Sequence, residues 1–277
     1  MRHFLKRLFF NILPNSTEVI ITPGGARWGN LLYFFLRAYI FEQKGKTLRL
    51  LYTEHMADLL LYFPGLKSYV IEEKEVKFYH KKDSSNQFYQ VFGEDFVENQ
   101  LNEFIREHLL SSQFVKAFLN QLPEPDADEL TINIRRGDFY EKGNSSIYGY
   151  DQIEFIKHVF DNYFKNKNWK QINILSDDMN WCQDNFKFLD EHTHRLHYPD
   201  LKQDKVISSF LWVAKSKNLV LSNSTFSFWA AYISNDLYQS QGNTICPIFG
   251  SRRIENTNLY QYNPKWVMVR DFNFDLK

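Results

Sequence analysis

Thr131-Ile132-Asn133-Ile134-Arg135-Arg136-Gly137-Asp138-Phe139-Tyr140 alternates apolar and polar side chains, then closes on two arginines, a glycine and an aspartate. The alternation predicts a β-strand and Gly137 allows a sharp exit. Paired guanidinium groups at a strand end suit a bidentate grip on diphosphate oxygens. In open α/β folds ligands bind at the carboxyl ends of strands. Taken alone, Arg-Arg-Gly-Asp reads better as an ordinary charged turn, so its surroundings have to decide.

Downstream, strands expected over 130–134, 171–175, 193–197 and 219–222 alternate with helices expected over 151–163, 179–188, 207–215 and 226–233. That order predicts a parallel sheet with helices on its faces. Three polar clusters follow three of the strands: Asn133 with Arg135 to Asp138, then Ser176-Asp177-Asp178, then Asn223-Ser224-Thr225-Phe226-Ser227. A parallel sheet gathers all three along one rim, which favours the phosphate clamp. Arg135 or Arg136 can neutralise a diphosphate whose charge grows as a sugar leaves. Ser224, Thr225 and the amides opening the helix at Phe226 add donors, so that no metal is required. Asp177 and Asp178 suit a divalent cation, a base or ribose, or the cap of the helix starting at Met179, the cap being the simplest role.

Upstream, a strand over 18–22 leads into Pro23-Gly24-Gly25-Ala26-Arg27-Trp28-Gly29-Asn30 and then the apolar run 31–41. This is a strand, glycine loop and helix unit, although it has neither the GxGxxG spacing nor the Lys-Ser/Thr ending of a P-loop. A second strand is expected over 46–52 and a short helix over 56–63, stopped by Pro64-Gly65. The stretch 72–90 shows weak periodicity and is read as loop with short strands. Residues 96–122 read as two helices broken at Ser111-Ser112. The segment 123–128 holds two prolines and three acids and marks a domain boundary. The expected division is an amino-terminal α/β domain over 1–125 and a carboxyl-terminal one over 126–277, its last helix or tail free to return to the first.

Composition narrows the function. The chain has 277 residues, with 33 Lys plus Arg against 33 Asp plus Glu, so no global field for a polyanion such as nucleic acid is implied. Cys182 and Cys246 are the only cysteines and offer neither a CxxC nor a zinc spacing, which suits a reduced, cytoplasmic setting. His192, His194 and His197 lack a companion carboxylate or cysteine and read as a polar strand edge. Residues 1–14 set Arg2, Lys6 and Arg7 among phenylalanines and leucines, too interrupted for a spanning helix or a signal peptide. They suit peripheral contact with the inner, anionic face of a membrane or a first helix packed on the domain.

These motifs together resemble glycosyltransferase family 11, the α-1,2-fucosyltransferases, within the wider fucosyltransferase superfamily. PGGARWGN is similar to the family's amino-terminal glycine loop, NIRRGDF to its HxRRxD motif, and ILSDD and SNSTFSFWAAY to two further segments. The resemblance implies a GT-B architecture of two α/β domains facing a cleft. It also implies GDP-fucose as donor, no cofactor or metal, inversion at the transferred sugar, and a glycan or lipid-linked glycan acceptor in surface polysaccharide assembly. It places Arg135, Arg136 and Asp138 in the catalytic group, one arginine on the β-phosphate and Asp138 bracing the loop. Gly25, Gly29, Asn30, Asn133, Ser176, Asp177, Asp178, Asn223, Ser224, Thr225 and Phe226 are placed around the donor. Asn133 stands where the family usually has histidine, and it can hydrogen-bond a base without carrying charge. Leu31 stands where the family prefers glutamine.

Overall fold

The structure, a computed structural model, describes residues 17–85, 87–201, 204–253 and 260–275. Residues 1–14, read above as membrane contact or first helix, lie outside the described residues. The chain divides into two compact units, Met1–Lys116 and Ala117–Lys277. The division falls inside a helix, a few residues before the proline-rich segment.

The first unit is built on four parallel strands, β1 (Glu18–Ile20), β2 (Leu48–Leu51), β3 (Val70–Ile71) and β4 (Lys81–Asp83), in the order β3-β2-β1-β4. Helix α1 (Trp28–Gln43) buries Leu31, Leu32, Tyr33, Phe34, Phe35 and Leu36 consecutively. A helix apolar all round is a core helix rather than a surface one, so the continuous run 31–41 has its explanation. It ends at Lys44, and Gly45 takes the left-handed conformation at φ +67° that only glycine adopts cheaply. Helix α2 (Ala57–Tyr62) stops before Pro64. Helix α3 (Glu98–Phe104) runs into a π-type turn over Ile105–Leu109, and α4 (Gln113–Gln121) follows once the Ser112 hydroxyl has donated to the Tyr62 carbonyl at 2.7 Å.

The second unit carries six parallel strands: β5 (Glu129–Ile134), β6 (Gln171–Ser176), β7 (Leu196–His197), β8 (Asn218–Val220), β9 (Thr244–Pro247) and β10 (Val267–Val269). Their order is β10-β9-β8-β5-β6-β7, so the chain runs outward one way from β5 through β7 and the other way from β8 through β10. The reversal lies between β5 and β8, where the carboxyl ends of adjacent strands diverge into helices on opposite faces and leave a crevice. Helices α5 (Gln152–Tyr163), α6 (Met179–Asn185), α7 (Lys205–Lys215) and α8 (Thr225–Tyr238) make the crossovers.

Core packing follows the helical period. Helix α5 buries Phe155, Ile156, Val159 and Phe160 against Leu130, Ile132, Ile172 and Ile174, each large apolar side chain contributing about 1.5–3 kcal/mol. The expected helix over 179–188 divides into α6 and a 3-10 segment Lys187–His192, and the expected strand over 193–197 shortens to β7. Strands β9 and β10 lie beyond the alternation read from sequence. The tail returns Phe272 and Phe274 to the core of this same unit. Among the described residues no helix is long and apolar enough to cross a membrane.

Candidate active site

Parallel register sets the ends of β5 and β6 level. Ile134 pairs with Ser176, so Arg135 and Asp177 leave the sheet side by side. Arg135 Nη1 meets Asp177 Oδ2 at 2.8 Å and its Nη2 meets Asp138 Oδ1 at 2.6 Å. Both carboxylates therefore hold one planar fork, whose side chain remains 32% exposed. A guanidinium has five N–H donors, and two carboxylate contacts leave donors over for a ligand.

Arg136 is held quite differently. Its guanidinium carbon lies 3.8 Å from the ring centres of both Tyr140 and Trp181, a cation between two aromatic faces. No carboxylate among the described residues lies within ion-pair reach of it, and its Nε is buried without a hydrogen-bond partner. Its backbone N–H donates to Asp177 Oδ1 at 2.7 Å. The Tyr140 hydroxyl is fixed in turn, donating to the Tyr150 carbonyl at 2.6 Å and accepting from the Tyr150 N–H at 3.2 Å. Burial pushes the Tyr140 phenol up, which keeps it protonated as that donor.

The rest of the turn is braced by side chains that the sequence reading passed over. Gln152 Nε2 donates to the Arg135 carbonyl at 2.9 Å and Asn144 Nδ2 to the Asp138 carbonyl at 2.9 Å. Gln152 is only 2% exposed, and an amide beside the α5 N-cap Asp151 is the signal that could have found it. Trp181 could have been found from Asp178, whose side chain caps α6 by accepting from the Trp181 N–H at 3.2 Å. Ser176 Oγ accepts from the Asp178 N–H at 3.0 Å.

The third cluster follows β8. Ser224 is the N-cap of α8, its hydroxyl accepting from the Phe226 N–H at 3.3 Å, with Thr225 opening the helix. The first-turn amides and the positive end of the helix dipole are suited to an anion. Asn223 Nδ2 donates to the carbonyls of Tyr148 and Gly250 at 2.9 and 3.0 Å, tying this loop to its neighbours. Phe226 packs its ring on Phe210 at 5.2 Å.

Asn133 points inward. It is 5% exposed, donates to the Leu175 carbonyl at 3.3 Å and accepts from the Ser227 hydroxyl, which sits 2.9 Å from Ser222 Oγ. A buried amide has to be satisfied, and both its ends are taken up within the protein. The histidines do not converge: His197 Nδ1 meets Asn173 Oδ1 at 2.8 Å, while the His192 ring packs on Phe160. Among the described residues no group of three or more His, Cys, Asp or Glu is placed to hold a metal ion. Burial pushes the Cys182 thiol up to about 12, which makes it packing rather than a nucleophile.

Gly25, Gly29 and Asn30 belong to the first unit, at the carboxyl end of β1, where the strand order also reverses between β1 and β4. The Gly24-Gly25 turn is closed by the Ala26 N–H on the Pro23 carbonyl at 2.9 Å. Gly29 is buried in the first turn of α1, and Asn30 Oδ1 accepts from Gln90 Nε2 at 2.8 Å. The remaining predicted site residues are gathered on the second unit.

Residues 49–269 match glycosyl transferase family 11. That span contains the Arg135 turn, the Asp177 and Ser224 segments, and leaves the glycine loop outside. No curated protein matches the sequence. Among solved structures, POFUT1 in complex with GDP is similar at a TM-score of 0.49 and 11% identity, over 84% of this chain and 98% of that one. E. coli heptosyltransferase WaaC with ADP-2-deoxy-2-fluoro heptose is similar at 0.46 and 11%, over 91% and 93%. A mutant of Arabidopsis thaliana FUT1 in complex with GDP is similar at 0.43 and 11%, over 85% and 73%.

Proposed function

The chain belongs to glycosyl transferase family 11, and from that premise we propose that it transfers L-fucose from GDP-fucose to a sugar hydroxyl, in α-1,2 linkage, during assembly of a surface glycan. The two units then act as the halves of a GT-B enzyme, with the donor on the second. The observation that carries this reading is the placing of Arg135 and the amino end of α8 on either side of the β5/β8 reversal.

In this reading the acceptor hydroxyl oxygen attacks the anomeric carbon and gives up its proton to water or to the departing diphosphate, the bond from that carbon to the β-phosphate oxygen breaks, and GDP departs with the electron pair. Inversion follows from a single displacement. Negative charge grows on the β-phosphate as the bond breaks. Fixed donors aimed at developing charge lower the barrier more than they tighten ground-state binding. Arg135 supplies the fork, since it is partly exposed and already oriented by Asp138 and Asp177. Arg136, covered on both faces, pins the turn. Ser224, Thr225 and the first amides of α8 hold the remaining phosphate oxygens.

Asn133 favours a second reading of the donor. Its amide is closed within the protein, so the base is recognised by other groups and a different nucleotide sugar fits the same turn. A panel of nucleotide sugars offered to purified protein, with a galactoside acceptor, separates the two. Turnover of GDP-fucose alone is expected. Turnover of another donor with none of GDP-fucose overturns the fucosyl assignment, and binding without turnover of any donor marks a silent glycan- or nucleotide-binding module.

A further inference from the structure

We propose that Asp177 is the positioning residue of the arginine turn, and that Gly137 is glycine because the Asp177 carboxylate occupies the space of its missing side chain. The catalytic part of this inference rests on the function proposed above, whereas the interlock itself does not.

One carboxylate meets the turn at three points. Oδ2 pairs with Arg135 Nη1 at 2.8 Å, Oδ1 accepts from the Arg136 N–H at 2.7 Å, and a Cβ added to Gly137 would stand well inside 3.0 Å of Oδ2. Real Cβ atoms do not make such contacts, so a side chain at 137 and the carboxylate in this place exclude one another. Gly137 has no left-handed backbone to account for it, which leaves the close approach as the reason for the residue. The approach is set by the sheet, because register places Ile134 against Ser176 and the next residues leave the strands together. Asp177 thus couples the direction of the Arg135 fork to the backbone course of Arg136 and Gly137. Asp178, its neighbour, spends its carboxylate on the α6 cap. The two aspartates are therefore not equivalent.

The consequence is a specific non-additivity. Gly137→Ala should expel the carboxylate and so remove Arg135 from its place, whereas in an Asp177→Ala background the space is vacant and the same change should add little. Neighbouring residues that share one interaction show such coupling. Asp177→Asn provides the graded variant, since its amide oxygen still accepts from the Arg136 N–H while the charge on Arg135 is lost.

The test is a double-mutant cycle of Gly137→Ala and Asp177→Ala read by thermal unfolding, together with donor kinetics of each variant and of Asp177→Asn. Gly137→Ala is expected to lower Tm clearly in the parent protein and much less in the Asp177→Ala protein. With GDP-fucose, Asp177→Ala is expected to lower kcat by about 10- to 100-fold while the donor KM changes less than about threefold, with Asp177→Asn between it and the parent. Equal Tm losses in both backgrounds overturn the interlock. A Tm loss in Asp177→Ala or Asp177→Asn with kcat unchanged overturns the positioning role and leaves Asp177 structural. If the parent protein is inert toward GDP-fucose, the function proposed above fails, while the unfolding cycle still supports or overturns the interlock without any substrate.

Discussion

The two units reverse their strand order in the same way, and the turns at the two reversals are opposites. In the first unit, Pro23 to Arg27 leaves β1 as an open loop, and a Cβ on Gly24 or Gly25 would meet nothing within 4 Å. In the second unit, Arg135 to Asp138 leaves β5 as a crowded turn, with one side of Gly137 filled by a carboxylate. Glycine serves space in the first case and contact in the second. An open loop can give way to a ligand, whereas a crowded turn has already fixed its charges before a ligand arrives, which is what electrostatic stabilisation of a leaving group requires.

The sharpest break in that comparison is Arg135→Ala. Loss of the oriented fork should cut transfer turnover about 100-fold or more, and Arg135→Lys should not restore it, because an ammonium cannot reproduce the fork held by Asp138 and Asp177. Steady-state rates at saturating donor measure this, and a rate within a few-fold of the parent would remove the turn from catalysis. Next in size, Gly137→Ala should cost about 1–3 kcal/mol as overpacking, against about 0.5 kcal/mol or less for Gly25→Ala in open space. Denaturant unfolding compares the two directly, and equal costs would mean that the two glycines do not differ in kind. Trp181→Ala uncovers one face of Arg136 and should cost about 1–2 kcal/mol through the lost cation–π contact, while Arg136→Ala in that background should then cost less than it does alone.

The smallest effect lies in the first unit and is read through pH. Burial pushes the His108 imidazole in the first unit down, with Glu107, the Gly65 backbone and Glu42 opposing. Tyr69 faces its Nε2 at 3.1 Å, and Tyr39 and Phe104 pack on the ring. A histidine with a depressed folded pKa contributes its full stability above the unfolded value of 6.5. That stability falls as pH drops below 6.5, because the unfolded chain takes up the proton first. Unfolding of His108→Gln should therefore depend less on pH between about 7.5 and 5.5 than unfolding of the parent, by less than about 1 kcal/mol. An identical pH slope in both proteins would mean that His108 does not link folding to protons.

Where one residue type sufficed, the sequence was readable. Alternation along β5, the apolar run of α1 and an aspartate cap before Met179 each declare themselves locally, and the rim followed from a parallel sheet. What stayed hidden depends on partners distant in the chain. The short strands expected within 72–90 could not be located, because Lys81-Lys82-Asp83 has no apolar pattern and pairs where β1 offers it an edge. Thr244–Pro247 and Val267–Val269 are too short to show a period, yet they complete the sheet. Asn133 looked like a ligand group because it ends a strand, and its engagement with Leu175 and Ser227 lies 42 and 94 residues away. The difference between the two arginines was equally invisible, since Asp177 follows the next strand and Trp181 lies in the first turn of α6.

The sandwich around Arg136 has an optical consequence. The chain has six tryptophans, and Trp181 is the one whose indole lies against a cation of the arginine turn. A ligand that draws on Arg135 is expected to shift the backbone that also carries Arg136, and with it the position of the cation over that indole. Emission from Trp181, isolated by replacing it with phenylalanine and taking the difference, would report occupancy of the turn without a labelled sugar.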